Sequence, residues 1–395
     1  MRCRRIWSSF GRGSSPLRSS AESQARLMSL ALRLAALGRW TASPNPMVGA
    51  VVVADGVVVG RGHHQRAGGP HAEVVALEEA GERARGATLY VTLEPCSHQG
   101  RTPPCVEAVK AAGVAEVVAC HRDPDPRVAG AGFAALRAAG IEVKVGVKAE
   151  QAVHLNLSFL TAQVHRRPAV TIKWAMSLDG KIATASGESQ WISSPPARRW
   201  ALALREEHDA ILVGSGTALA DDPRLTRRRG RAEGPIVRAV LDRRLRLPAA
   251  ARMLAEAGPV LVYTRRLVGA EAEMKTAAAP LGEAGAEVVA LPQASPAEVL
   301  ADLHQRGVRS LLVEGGGEVT AAFVEAGLWD RVVVVLAPRL IGGRDAPGPV
   351  SGRGFSSLAA TPDVSFFRSR RRGPDRILEG LRDGCLPALL QSLGA

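Results

Sequence analysis

Aromatic residues are scarce: seven Phe, six Trp and two Tyr among 395 residues. None interleaves with a basic stretch, which disfavours a base-stacking platform for single-stranded nucleic acid. Cysteine is scarce as well. Five cysteines at irregular spacing do not make a disulfide framework, and they point to a reducing, cytoplasmic location. No apolar run approaches the ~20 residues of a membrane helix. No G-x-G-x-x-G follows a strand and opens a helix, so a Rossmann domain is not supported, and no internal repeat of fixed short period is present. Acidic residues are nearly missing from residues 1–23, where five arginines face only Glu22. That segment lacks the apolar core of a secretory signal. It reads as a disordered basic tail or a start codon placed too early, with an organelle transit segment as the alternative.

The chain as a whole has ordinary globular composition, 46% hydrophobic and 23% charged, and its length suits two domains. The net charge of +13 asks for an anionic partner, either nucleic acid or a phosphorylated metabolite, if it is more than a solvated surface. Apolar strand segments alternate with helical ones over residues 24–166, which predicts an α/β layered domain. After HRRP, residues 165 to 168, the pattern restarts with VTIKWAM and runs through IVRAVLD, PVLVY, AEVVAL, SLLVEGGG and RVVVVLAP. This predicts a second α/β domain over 167–386.

The chemistry concentrates in HAEVVALEEAGERARGATLYVTLEPCSHQGRTPPC, residues 71 to 105. His71 and Glu73 fall in the first turn of a helix behind Pro70. Cys96 follows a strand, and Cys105 opens a helix, where the dipole favours a thiolate. One imidazole and two thiolates leave the fourth tetrahedral position open, the arrangement of a catalytic zinc. Glu73, beside the ligands without being one, is placed to shuttle protons. His71-Ala72-Glu73 and Pro95-Cys96 match the H-x-E and P-C halves of the zinc deaminase signature, but eight residues rather than two separate the cysteines. Taken singly, each residue could be a half-buried thiol or a surface carboxylate. Their order together carries the reading. Arg101 is either a fork for a ribose phosphate or a solvated loop charge. His98 either caps the loop or touches substrate. Cys120 reads as core; His121 and Cys3 read as surface.

SPNPMVGAVVV, GHHQRAGGPHAE and YVTLEPCSHQGRTPPC together resemble the deaminase domain of the bifunctional riboflavin-biosynthesis deaminase/reductases, over residues 25 to 166. The resemblance implies a cytidine-deaminase-like α/β/α layered domain, with zinc on His71, Cys96 and Cys105, and Glu73 as proton shuttle. It also implies substrate contacts at Asn45, His64 and Arg101.

In the second domain Glu314-Gly315-Gly316-Gly317 lies between a strand and a helix, which suits a pyrophosphate but also a plain tight turn. Arg205, Arg224, Arg227, Arg228, Arg229 and Arg231 crowd the LADDP loop, usually the mark of a solvated face. KWAMSLDGKIATASGESQWIS, LVGSGTALADDPRLTRR and VEGGGEVTAAFVEAGLWDRVVVVLAPRLIGG resemble the reductase half of the same enzymes, which is dihydrofolate-reductase-like in fold. The resemblance implies NADPH, with cofactor contacts at Met176, Trp191, Thr217, Asp221, Gly316, Gly317, Glu318, Val319, Thr320, Ala321 and Ala322. It implies substrate contacts at Ser189, Arg205, Leu225, Arg228 and Glu314, while Lys173 and Asp179 read as structural. One departure stands out: Asp242 is followed by Arg243, where the family commonly has a small polar residue. The expectation is a riboflavin-pathway enzyme that deaminates 2,5-diamino-6-(5-phosphoribosylamino)pyrimidin-4-one and then reduces its ribosyl side chain to give 5-amino-6-(5-phosphoribitylamino)uracil. Its partners are phosphorylated pyrimidines, with no nucleic acid and no membrane, and a homo-oligomer is compatible. A nucleic-acid deaminase would show two-residue cysteine spacing and a basic, aromatic face, and neither is present. A zinc-stabilised binding module would need a fourth protein ligand and no acid/base.

Overall fold

Two sheets organise the chain. The computed structural model describes residues 21–99, 103–125, 128–228, 230, 232, 234–269 and 271–394. The chain divides into two compact units, one ending at Asn156 and also taking the C-terminal residues from Leu389, the other running from Leu157 to Ala388. Among the described residues no helix is long and apolar enough to cross a membrane.

The first unit runs α1 (Ala21–Ala35), β1 (Gly49–Ala54), β2 (Val57–His63), α2 (Ala72–Ala80), β3 (Thr88–Val91), α3 (Cys105–Ala112), β4 (Glu116–Ala119), α4 (Ala131–Ala138), β5 (Glu142–Val145) and α5 (Ala149–Leu155). Its strands lie in the order β2-β1-β3-β4-β5. β1 is antiparallel to both neighbours, whereas β3, β4 and β5 are parallel. The run GAVVVA reads continuously apolar because β1 is covered on both faces. Ala50 and Val52 enter a core with Ala76 of α2 and Val109 of α3. Val51 and Val53 enter the opposite core with Leu27 and Met28 of α1 and Ala152 of α5. This is the α/β/α sandwich expected. His121, expected at the surface, is fully buried. It tolerates burial because its Nδ1–H donates to the Arg122 carbonyl (2.8 Å), and desolvation lowers its pKa toward the neutral ring.

Two glycines let α2 sit directly on the sheet. A Cβ on Gly60 or Gly62 would come within 2.0 Å of the carbonyl oxygens of Ala76 and Ala72 respectively. Alternate positions of β2 share a face, so Gly-Arg-Gly clears one groove for the helix that carries His71 and Glu73.

The second unit runs α6 (Leu157–Val164), β6 (Ala169–Met176), α7 (Pro195–Leu204), β7 (Ala210–Gly214), α8 (Ser215–Asp221), β8 (Val237–Leu241), β9 (Val260–Arg265), α9 (Glu271–Glu283), β10 (Ala286–Leu291), α10 (Pro296–Gln305), β11 (Ser310–Val313), α11 (Gly317–Glu325), β12 (Arg331–Leu336), β13 (Val364–Arg372) and β14 (Asp375–Arg382), with α12 (Cys385–Leu393) ending the chain. The nine strands lie in the order β10-β9-β8-β7-β11-β6-β12-β14-β13. The first seven are parallel, and the β13–β14 hairpin adds antiparallel to β12. Apolar clusters cover both faces. In such a sheet the loops at the carboxyl ends of the strands form the binding crevice. Here these are the loops after β6, β7, β8 and β11.

Candidate active sites

In the first unit the loops after β2 and β3 and the start of α3 meet. His71 is the N-cap of α2, in extended conformation, which puts Glu73 in the first helical turn. Cys96 is carried on the loop after β3. Glu94 fixes that loop, its buried carboxylate accepting the backbone N–H groups of Asp123 (3.0 Å), Gly130 (3.0 Å) and Phe133 (3.1 Å). Cys105 opens α3 behind Pro104, and its backbone N–H donates to Cys96 Sγ (3.3 Å). One donor atom each of His71, Cys96 and Cys105 lies within 4.8 Å of the other two. His71 Nδ1 is 2.9 Å from Cys105 Sγ and 3.5 Å from Cys96 Sγ.

This donor set fits zinc. One nitrogen and two sulfurs converge, and bonds of about 2.0–2.3 Å would close the site with modest adjustment. The cysteines share a proton unequally: Cys96 is held down to about 4, first by its hydrogen bond with Cys105, while Cys105 is pushed up. His71 is raised through its bond with Cys96. Glu73, 3% exposed, is pushed up to about 7 by burial. A carboxyl in that range can both take and return a proton near neutral pH.

Asn45 and His64 stand together beside the cluster. His64 Nδ1 lies 3.1 Å from the Pro70 carbonyl and must be the donor there. Its Nε2 is therefore the acceptor for Asn45 Nδ2 at 3.0 Å. The His64 ring meets His71 edge-on, with centroids 5.5 Å apart. Arg101 lies outside the described residues, as does Cys3. Asp123, passed over as part of a loop, is buried next to this site, and burial pushes its carboxyl up to about 7. Its sequence signal is Asp-Pro-Asp-Pro, which follows the end of β4 after three intervening residues.

In the second unit a cavity of about 1060 Å³ opens at the carboxyl ends of the parallel strands, large for a ligand site. Thr217, Asp221, the run Gly316 through Ala322, Ser189 and Glu314 line it. Gly315 (φ 106°) and Gly316 (φ 80°) are in the left-handed region. A Cβ on Gly317 would fall 2.3 Å from Ser351 Oγ. The loop is thus bare of side chains where it meets the cavity, and the opening turn of α11 offers unpaired backbone N–H groups. That cradle fits the pyrophosphate of NADPH.

Other residues expected here are not part of the cavity lining. Met176 packs half-buried against the core. Trp191 is 59% exposed with the Arg198 guanidinium 4.4 Å from its ring centroid. Leu225 is a core residue. Arg205 spends its charge on Glu314 in a bidentate pair (3.0 and 2.8 Å). Burial alone would raise Glu314, but Arg205 overrides it and holds the carboxylate down to about 2. Of the crowded arginines, Arg227 ties down the carbonyls of Arg205, His208 and Gly234, and Arg224 pairs with Glu256. Arg228 is exposed, and its backbone N–H donates to Glu206 (3.2 Å). Arg229 and Arg231 lie outside the described residues. Asp179 is structural: it accepts from Ser177 Oγ and from the backbone of Ile341 and Gly342. Lys173 is not; it lines the cavity, and its charge helps to hold Glu314 ionised. Its signal was a lysine in the middle of the apolar strand VTIKWAM.

Known proteins bear out both halves. The family model for the cytidine and deoxycytidylate deaminase zinc-binding region matches residues 21–121, and that for the RibD C-terminal domain matches residues 168–378. The riboflavin biosynthesis protein RibD of Aquifex aeolicus is 46% identical over 316 residues, which is 80% of this chain and 87% of that protein. The Escherichia coli protein of the same name is 42% identical over 362 residues, 88% of this chain and 96% of that one. The form 1 structure of Acinetobacter baumannii RibD matches with a TM-score of 0.80 at 36% identity, covering 92% of this chain and 99% of that one. The Thermotoga maritima diaminohydroxyphosphoribosylaminopyrimidine deaminase/5-amino-6-(5-phosphoribosylamino)uracil reductase matches with a TM-score of 0.78 at 35% identity, over the same shares. With a zinc-binding deaminase half and an NADPH-dependent reductase half on one chain, the protein belongs to the bifunctional RibD family of riboflavin biosynthesis.

Proposed function

We propose that the first unit hydrolyses 2,5-diamino-6-(5-phosphoribosylamino)pyrimidin-4-one and that the second reduces the ribosyl side chain of the product, giving 5-amino-6-(5-phosphoribitylamino)uracil. One observation carries the first half: three soft donors within 4.8 Å of one another beside a buried glutamate that titrates near neutrality. Zinc held by His71, Cys96 and Cys105 supplies Lewis acidity, which makes water nucleophilic near pH 7. Glu73 takes a proton from the attacking water and delivers it to the departing amine. A carbon–oxygen bond forms, the exocyclic carbon–nitrogen bond breaks, and ammonia leaves. Asn45 orients the pyrimidine ring with its carboxamide oxygen and its second Nδ2–H, the first being given to His64. His64 positions Asn45, and Arg101 grips the ribose phosphate.

In the second unit the Gly315–Gly317 cradle and Thr217 hold NADPH, the donor of the hydride. Ser189, Glu314 and Lys173 line the part of the cavity that takes the ring-opened sugar, and the exposed guanidinium of Arg228 meets its phosphate. Arg205 is a positioning residue that keeps Glu314 ionised and fixed. The protein works in the cytoplasm on small phosphorylated pyrimidines rather than nucleic acid, a reading supported by its few cysteines and aromatic residues.

Ammonia release by Glu73→Gln tests the central assignment. The rate falls about 10²–10⁴-fold while zinc content by mass spectrometry stays at wild-type level. A variant that keeps wild-type deamination would overturn the proton-shuttle role.

A further inference from the structure

The arginines around the LADDP loop are not one solvated face. The loop between α8 and β8 meets the 3-10 turn Arg205–Glu207 that follows α7. Arg227 lies there half-buried, and each of its guanidinium nitrogens donates to a carbonyl: Nε to Arg205 (3.2 Å), Nη1 to Gly234 (2.9 Å) and Nη2 to His208 (2.5 Å). Glu206 acts in the opposite sense. It is 2% exposed, and its Oε1 and Oε2 accept the backbone N–H groups of Arg228 and Ala232 (both 3.2 Å). The loop thus grips the backbone of the turn with a cation, and the turn grips the backbone of the loop with an anion. Burial disfavours the Arg227 charge, and the nearby carboxylates of Asp209 and Glu206 favour it, so neither ion is buried without a counter-charge.

A third link runs from this clamp to the reductase cavity. The Arg205 guanidinium, paired with Glu314, also donates from Nη1 to the Thr226 carbonyl (3.2 Å). Glu314 lines the cavity. Three consecutive residues are therefore tied to the 205–208 segment: Thr226 through its carbonyl, Arg227 through its side chain and Arg228 through its N–H. Bonds of this charge-assisted kind are stronger than those a solvated turn makes to water. Of the three, only Arg228 presents its side chain at the surface.

We propose that Arg227 and Glu206 are positioning residues of the reductase. They lock residues 226–228 onto the turn that carries Arg205, and so hold the Arg228 guanidinium at a set distance from Glu314. One end of the ring-opened sugar and its phosphate are then met at once. Orientation of this kind favours the productive pose without adding a contact to the substrate. Neither residue lines the cavity, so both act through Arg228. The inference rests on the assignment of Arg228 to the substrate phosphate, and the test separates the two.

Steady-state reduction by the full-length protein is measured with the deaminated phosphoribosyl compound and with the same compound lacking its phosphate. The variants are Arg228→Ala, Arg227→Met, Arg227→Lys, Glu206→Gln and the double variant Arg227→Met/Arg228→Ala. Arg228→Ala raises KM for the phosphorylated compound about tenfold, the loss of one charge-assisted contact. Arg227→Met raises it by a similar factor, while kcat, NADPH affinity and KM for the dephosphorylated compound stay within about twofold of wild type. The double variant is no worse than Arg228→Ala, because a displaced arginine and a deleted one lose the same contact. Arg227→Lys and Glu206→Gln each keep part of the clamp. Their KM falls between those of wild type and Arg227→Met, and they carry the test where Arg227→Met fails to fold. Effects that multiply in the double variant, equal rises in KM for the two compounds, or wild-type KM in every clamp variant overturn the positioning role while Arg228 keeps the phosphate. An unchanged KM in Arg228→Ala overturns both.

Discussion

Glu314 and Arg205 show how a single pair of side chains sets the reductase cavity. Both are nearly buried, and the pair is bidentate. Removing one partner leaves a buried, uncompensated charge, so Arg205→Met costs about 3–5 kcal/mol, whereas replacing both by apolar residues is close to neutral. Urea unfolding of the single and double variants separates the cases. The pH dependence has a definite sign. The folded carboxylate titrates at about 2, below its ordinary 4.5. The stability it contributes is complete above the ordinary carboxylate range and is lost as pH falls through the folded value. The urea midpoint of wild type therefore drops on acidification from about pH 5 to about pH 3, and it drops less in the double variant. An unchanged acid limb in the double variant would show that Glu314 does not carry that dependence. At this scale the candidate metal cluster and its neighbouring carboxyl were legible in the sequence because His71, Glu73, Pro95-Cys96 and Cys105 form short local signals. The Arg205–Glu314 pair was not, since its partners are 109 residues apart. His121 was misread as surface for a different reason: its one ring partner is the carbonyl of the next residue, and its burial follows from packing that the local sequence does not show.

At the scale of elements, α2 delivers two of the four residues of the deaminase centre, and its position depends on Gly60 and Gly62. Gly62→Ala would place a methyl group 2.0 Å from the Ala72 carbonyl, one residue from each of His71 and Glu73. Overpacking of this kind costs about 1–3 kcal/mol. The variant should unfold at lower temperature and retain less zinc than wild type. Wild-type zinc content and stability would mean that α2 is not seated as described. A contrasting element is α10, whose N-terminus has a complete capping box between Ser295 and Glu298, far along the sheet from the cavity. Ser295→Ala should lower stability by about 1 kcal/mol without altering either activity, and altered kinetics would contradict the separation. The strand and helix alternation of both sheets was readable from apolar runs. The β13–β14 hairpin was not: VSFFRSRRR places four arginines on a mostly exposed edge strand, where charge suits an unpaired edge and hides the alternation. The glycine pair was equally silent, because VVVGRG reads as one more apolar strand, and only the helix laid across it shows why both positions are bare.

At the scale of the whole molecule, two chemistries share one chain. Each centre is built entirely from its own unit: the deaminase residues precede Asn156 and the lining of the reductase cavity lies between Lys173 and Arg353. The positive balance of the chain suits substrates that remain phosphorylated through both steps. The family resemblance and the domain order were legible from motif spacing. Which residues line the reductase cavity was less so, since Met176, Trp191 and Leu225 are not in its lining while Lys173, Arg243, Arg244 and Arg246 are. The measurement that bears most directly on the account follows ammonia release and NADPH absorbance together, on zinc-loaded protein given the diaminopyrimidine phosphoribosyl substrate, then on chelator-stripped protein given the deaminated compound. The account predicts ammonia first and NADPH oxidation after it in the loaded protein, with NADPH oxidation persisting in the stripped protein. NADPH oxidation without prior ammonia release, or its loss on zinc removal when the deaminated compound is supplied, would contradict two independent centres acting in sequence.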